Sequence, residues 1–169
     1  MTVLPVLTWP DPRLAVQCTP AAVDDGTLTL ARDMLETMYA AQGRGLAASQ
    51  VGVLTRLFVM DATWKIGPAT PEIFINPEII WRSPETTLGP EVCLSIPGAV
   101  ADVARATAII LRWTTPENAI AAQKLTGFRA ICTQHEIDHL NGILTLDHLS
   151  PQARALAEAE AEAEAGAQR

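Results

Sequence analysis

Two histidines four residues apart, in Gln134-His135-Glu136-Ile137-Asp138-His139, constrain this chain more than any other feature. Four residues are about one helical turn, so a helix puts both imidazoles on one face. There they can converge on a single metal ion while Glu136 reaches a water beside it. That is the equipment of metal-assisted hydrolysis. With only three histidines in the chain, an accidental His-Glu-x-x-His on a solvated face is a poor account of the motif.

A third donor decides which hydrolase such a helix can serve. The extended pattern His-x-x-Gly-x-x-His is excluded, because Gly142 fits but position 145 is Thr145. A downstream glutamate would have to come from Glu158, Glu160, Glu162 or Glu164, which alternate with alanine in a low-complexity tail, a poor platform for a rigidly held ligand. Upstream, Cys93 lies in Pro90-Glu91-Val92-Cys93-Leu94-Ser95. One cysteine with two histidines makes a three-ligand site with a position open for water, the catalytic arrangement. Cys132, one turn before His135, suits the apolar side of the helix better than the metal.

These segments, with Gly43-Arg44-Gly45-Leu46-Ala47-Ala48-Ser49-Gln50-Val51-Gly52, resemble the motifs of the peptide deformylase family. The Leu7-Thr8-Trp9-Pro10 entry, Phe74-Ile75-Asn76-Pro77-Glu78 and Gly142-Ile143-Leu144 extend the resemblance over nearly the whole chain. It implies one divalent ion held by Cys93, His135 and His139, with Fe(II) native and Zn, Ni or Co able to replace it. It also implies Glu136 as general base and acid, and the Gln50 side-chain amide with the Leu94 N–H as oxyanion donors. The implied substrate is an N-formylmethionyl nascent peptide, its main chain added as a strand along Gly43 to Gly45 and the strand near Glu91. Its methionine would enter an apolar pocket lined by Phe128, Ile131, Cys132 and the face of His135, and Gly45, lacking a Cβ, permits close approach.

Two positions depart from the family pattern. Val92 stands where glycine usually precedes the metal cysteine; it is strained if its φ is positive and only narrows the groove if extended. Arg44 stands where a small apolar residue usually borders the pocket. It either snorkels outward over the pocket or presents its charge to an acidic group of the substrate. Both bear on substrate choice, and two alternatives stay open: hydrolysis of another N-acyl substrate, and a metal-retaining protein that binds without catalysis.

The 169 residues are one domain's worth, enough for one core. A net charge of −7 argues against a nucleic-acid partner. No run approaches membrane-spanning length, the N-terminus lacks a basic leader, and Cys18, Cys93 and Cys132 suit a reducing compartment, so the cytoplasm is the expected location.

Leu28, Ala31, Leu35 and Met38 predict a helix over 27–42, ended by Gly43, and a second helix is expected over 128–140. Strands are expected over 56–61, 72–81 and 108–113, with turns at Gly67-Pro68, Ser83-Pro84, Gly89-Pro90 and Thr115 to Asn118. The whole is expected to be an α+β domain, antiparallel or mixed strands packed around a central metal-binding helix, with the catalytic part spanning 1–150. In 151–169, Ser150 and Pro151 start a short helix. The like-charged pairs Glu158/Glu162 and Glu160/Glu164, with Leu156 the sole large apolar residue, are then expected to leave a frayed acidic end that packs on nothing. Such an end would be dispensable for folding and unsuited to docking on ribosomal RNA. His148 is expected to be structural or solvent-facing.

Overall fold

The computed structural model describes residues 1–167. Its first helix, α1 (Asp25–Ala40), starts where the Asp24 carboxylate accepts the Thr27 N–H at 2.8 Å. Ala31, Met34 and Met38 recur on its buried face and pack with Leu46, Leu57, Val59 and Ile75. The expected stop is displaced by one residue: Gln42, not Gly43, takes the left-handed conformation, at φ 57°. Gly43 is glycine for another reason, because a Cβ there would lie 2.8 Å from Leu94 Cδ1.

Seven strands follow among the described residues: β1 (Gly45–Ala47), β2 (Leu57–Met60), β3 (Glu72–Arg82), β4 (Thr86–Cys93), β5 (Ile96–Ala106), β6 (Ala108–Thr114) and β7 (Ile120–Thr126). Five form an antiparallel sheet in the order β1-β2-β3-β6-β7, and β4 with β5 forms a separate antiparallel ribbon. The second helix, α2 (Gly127–Leu140), crosses between them; Ala130, Cys132, Ile137 and Leu140 join the core with Phe58, Phe74 and Leu111. The architecture is the α+β domain expected from the sequence.

The strands near 57–60, 72–82 and 108–114 fall within a residue or two of expectation, but β4, β5 and β7 carried no clear signal. Gly89-Pro90 misled: it lies inside β4, with Pro90 opposite Asp102, not at a turn. A ribbon of two strands has only edge strands, and an edge strand tolerates a proline whose missing N–H faces away from the ladder.

The tail also departs from expectation. The last helix, α3 (Pro151–Ala167), is continuous and packs on β5. Ala157 and Ala161 are buried in a cluster with Leu14, Cys93, Ile96, Ala99 and Leu146, whereas Leu156 is exposed. Small residues supply the contact that a large anchor was expected to supply. At Gly98 a Cβ would lie 2.7 Å from Glu164 Cβ, so helix and strand meet almost backbone to backbone. Arg154 bridges Glu158 and Asp147 at 2.8 and 2.7 Å, offsetting part of the repulsion among the glutamates. Gln168 and Arg169, where the fraying was expected to be greatest, lie outside the described residues.

Candidate metal centre

β4 ends at Cys93, just before the turn at Leu94 and Ser95, and this delivers the thiol to the inner face of α2. There Cys93 Sγ lies 3.2 Å from His139 Nε2, which lies 3.2 Å from His135 Nε2. The three donor atoms all fall within 4.8 Å of one another. A soft thiolate and two imidazole nitrogens converging so closely fit a tetrahedral first-row divalent ion.

Glu136 completes the centre. It is 3% exposed, and its Oε2 has no hydrogen-bond partner among the described residues. Burial pushes its pKa up to about 7, with the His135 and Arg105 charges opposing the rise and Glu91 and Asp138 adding to it. A carboxylate poised there can take a proton and return it near neutral pH. The space beside it is kept open by Gly45, where a Cβ would lie 2.7 Å from Cys132 Sγ and press on the Glu136 carboxylate.

The two histidines are held differently. His135 Nδ1 bonds the Glu91 carboxylate at 2.9 Å, which leaves Nε2 for the metal position. Glu91 is gripped in turn by Arg105, through Nε to Oε1 at 2.8 Å and Nη2 to Oε2 at 3.0 Å. Burial would raise the Glu91 pKa, yet the His135 and Arg105 bonds outweigh it and hold the carboxyl at about 2. Arg105 Nη1 also reaches Asp138 Oδ2 at 2.5 Å, and the same oxygen accepts His148 Nε2 at 2.8 Å. His139 has no such tether: its Nδ1 is buried without a partner among the described residues. Burial, and then the His135 and Arg105 charges, push its pKa well down, keeping it neutral as a ligand must be. His135 is pushed up: burial disfavours its charge, but the Cys93 and Glu91 contacts outweigh that. A cation among the three donors takes the place of that proton's charge.

On the far side, Gln50 turns its Nε2 toward Ser95 Oγ at 3.1 Å and Cys93 Sγ at 3.7 Å, while its Oε1 accepts the Ala47 N–H at 2.9 Å. The N-terminal segment braces this wall, Leu7 N donating to Gln50 O at 2.7 Å and Trp9 N to Ser95 O at 2.8 Å. A polypeptide deformylase family model matches residues 3–155. The chain belongs to the peptide deformylase family.

Relatives agree along almost its full length. It is 50% identical to the peptide deformylase of Alkalilimnicola ehrlichii over 155 residues, covering 91% of this chain and 86% of the relative. It is 44% identical to that of Rhizobium meliloti over 155 residues, covering 91% and 89%. Among solved structures, a peptide deformylase from Legionella pneumophila superposes with a TM-score of 0.93 at 36% identity, covering 99% of this chain and 98% of that one. The enzyme from Ehrlichia chaffeensis in complex with actinonin gives 0.91 at 38%, covering 97% and 98%. These deformylases are metallo-hydrolases, and the chain is an enzyme of that kind.

The structure brings Cys93, His135 and His139 together, with Glu136 on the same helix and Gln50 Nε2 3.7 Å from Cys93 Sγ, while Leu94 follows Cys93 in the turn with its side chain toward Gly43. Cys132 lies outside the ligand cluster, and burial, then the Glu136 charge, push its thiol pKa well up, so it stays protonated beside Gly45. Val92 lies in β4 without a positive φ and is exposed, so it is unstrained. Arg44 stacks on Phe128, its guanidinium carbon 3.5 Å from the ring centroid, and Ile131 is half-buried on the same helix.

Glu91, whose strand is expected to receive the substrate main chain, spends its side chain on His135 and Arg105. His148, expected to be structural or solvent-facing, is exposed and forms the outer end of that network. Arg105 itself was missed. The signal was there: it follows Ala99, Ala101 and Val103 in the buried phase of β5, and an arginine in an apolar phase must find buried carboxylates.

Proposed function

We propose that this enzyme removes the formyl group from N-formylmethionyl peptides, using one divalent ion held by Cys93, His135 and His139. The convergence of those donors beside the unpartnered Glu136 carboxylate carries the reading. When bound, a divalent ion in a three-ligand site supplies Lewis acidity and water acidified toward neutral pH. Glu136 would take a proton from the attacking water and pass it to the departing amine as the formyl C–N bond breaks. Gln50 Nε2 and the Leu94 N–H donate to the oxygen that becomes negative; loss of such a donor costs about 2.7 to 4 kcal/mol of transition-state stabilisation.

The peptide main chain runs as an added strand along Gly43 to Gly45 and the strand near Glu91. Phe128, Ile131 and Cys132 line the pocket for the methionine. Fe(II) is the native ion, with Zn, Ni or Co able to serve in its place. The enzyme works in the cytoplasm on nascent peptides and, being acidic, does not dock on ribosomal RNA through its C-terminal helix. Among the described residues no helix is long and apolar enough to cross a membrane.

The test is formate release from formyl-Met peptides by protein purified anaerobically, with metal quantified. Stoichiometric metal with formate release supports the reading. Metal without turnover supports a binding protein, and turnover confined to other N-acyl groups supports a changed substrate.

A further inference from the structure

Arg44 lies between two glycines that the site requires, Gly43 against Leu94 and Gly45 against Cys132 and Glu136. Its carbonyl accepts the Asp61 N–H at 2.9 Å, and its half-buried side chain runs to the start of α2, where the guanidinium carbon lies over the Phe128 ring, 3.5 Å from the centroid. Among the described residues nothing accepts a hydrogen bond from this guanidinium and no carboxylate pairs with it. Other well-covered arginines are engaged: Arg105 by Glu91 and Asp138, Arg129 by Glu72, and Arg56 by Asn141 and main-chain carbonyls. Stacking uses the face of a guanidinium and leaves its in-plane N–H donors free, a fork whose geometry matches a carboxylate. In a chain of net charge −7, an unpaired cation beside the substrate groove is a local exception that needs an acceptor.

We propose that Arg44 is a specificity-determining residue that pairs with a carboxylate of the formylated peptide, so that this enzyme favours acidic peptides. The inference rests on the deformylase reading above. The carboxylate comes either from an acidic side chain close to the formylated residue or from the chain end of a short peptide.

The experiment measures kcat/KM of the metal-loaded enzyme on matched pairs. These are formyl-Met-Glu-Ala and formyl-Met-Gln-Ala amides, formyl-Met-Ala-Glu and formyl-Met-Ala-Gln amides, and formyl-Met-Ala as free acid and as amide. A charge-assisted hydrogen bond at a half-exposed site predicts about a tenfold preference for the acid in at least one pair, and the pair that shows it identifies the source. Arg44→Gln should bring that ratio to within about twofold of one, and Arg44→Lys, which keeps the charge without the fork, should leave an intermediate ratio. Ratios near one for all pairs in the unaltered enzyme, or a preference that survives in Arg44→Gln, overturn the proposal. Calorimetric Kd values for the same pairs, with metal-loaded Glu136→Gln protein carrying Arg44 or Arg44→Gln, read the ratio without turnover. Absence of formate from every peptide therefore sinks the deformylase reading alone, and the Kd ratios still decide on Arg44.

Discussion

α2 and α3 are helices of similar length, and both lie against β5, yet they bury opposite things. α2 turns Thr133, Gln134, Glu136 and His139 inward, whereas the buried residues of α3 are Ala157 and Ala161. Polar groups taken from water must be bonded or kept for a ligand. Gln134 is bonded, its amide spanning the Ala106 N–H and carbonyl at 3.1 and 3.0 Å, while Thr133, Glu136 and His139 each keep a polar atom without a partner among the described residues. α3 has nothing inside to satisfy, so its contribution is closeness. Changes along α2 should therefore alter chemistry, and changes along α3 only packing.

The largest expected effect is on the metal. Cys93→Ala or His139→Ala should remove stoichiometric metal, and Cys132→Ala should keep it. Metal analysis of purified variants checks this; metal lost from Cys132→Ala but kept by Cys93→Ala would break the ligand assignment. Next comes Glu136→Gln, which should keep the metal and lose about 10²- to 10⁴-fold in kcat, since an amide cannot take the proton. Ordinary turnover in that variant would remove Glu136 from the chemistry.

Arg105→Leu probes the polar side of the comparison one shell out. It leaves the Glu91 carboxylate and the half-buried Asp138 without their cation and should cost about 3 to 5 kcal/mol in denaturant unfolding. The same network sets an acid limit. Glu91 is held at about 2 against an ordinary 4.5, so its stabilisation is complete above about pH 4.5 and disappears as pH falls toward 2. Glu91→Gln should flatten stability across that window, and an unchanged acid limb would remove Glu91 as its source.

The smallest effects belong to α3. Ala161→Leu should cost about 1 to 3 kcal/mol by overpacking against β5, while Leu156→Ala should stay within about 0.5 kcal/mol. The reverse order would restore the sequence expectation of a Leu156 anchor. Deleting 157–169 should now lower stability, because it uncovers the cluster that contains Cys93.

What could be read before the structure divides along the same line. His135, Glu136 and His139 were legible because helical spacing alone brings them together, and Cys93 because one open-site donor set lacked a soft ligand. Arg105 and Asp138 were not, since a strand and a helix distant in the chain meet only in the fold. α3 was misjudged because its packing depends on Gly98, a residue on another element whose missing side chain admits the helix. Gly89-Pro90 was misjudged because a turn signal and an edge strand look alike until the neighbouring strand is known.

The chain of contacts from His148 through Asp138, Arg105 and Glu91 to His135 also bears on how such a protein can change over generations. Each link is a charge or an imidazole whose partner is another link, so replacing one alone strands its neighbour. Variation at these five positions is expected to be inherited in matched sets. Leu156, exposed on α3 and tied to no charge of this kind, is free to drift alone.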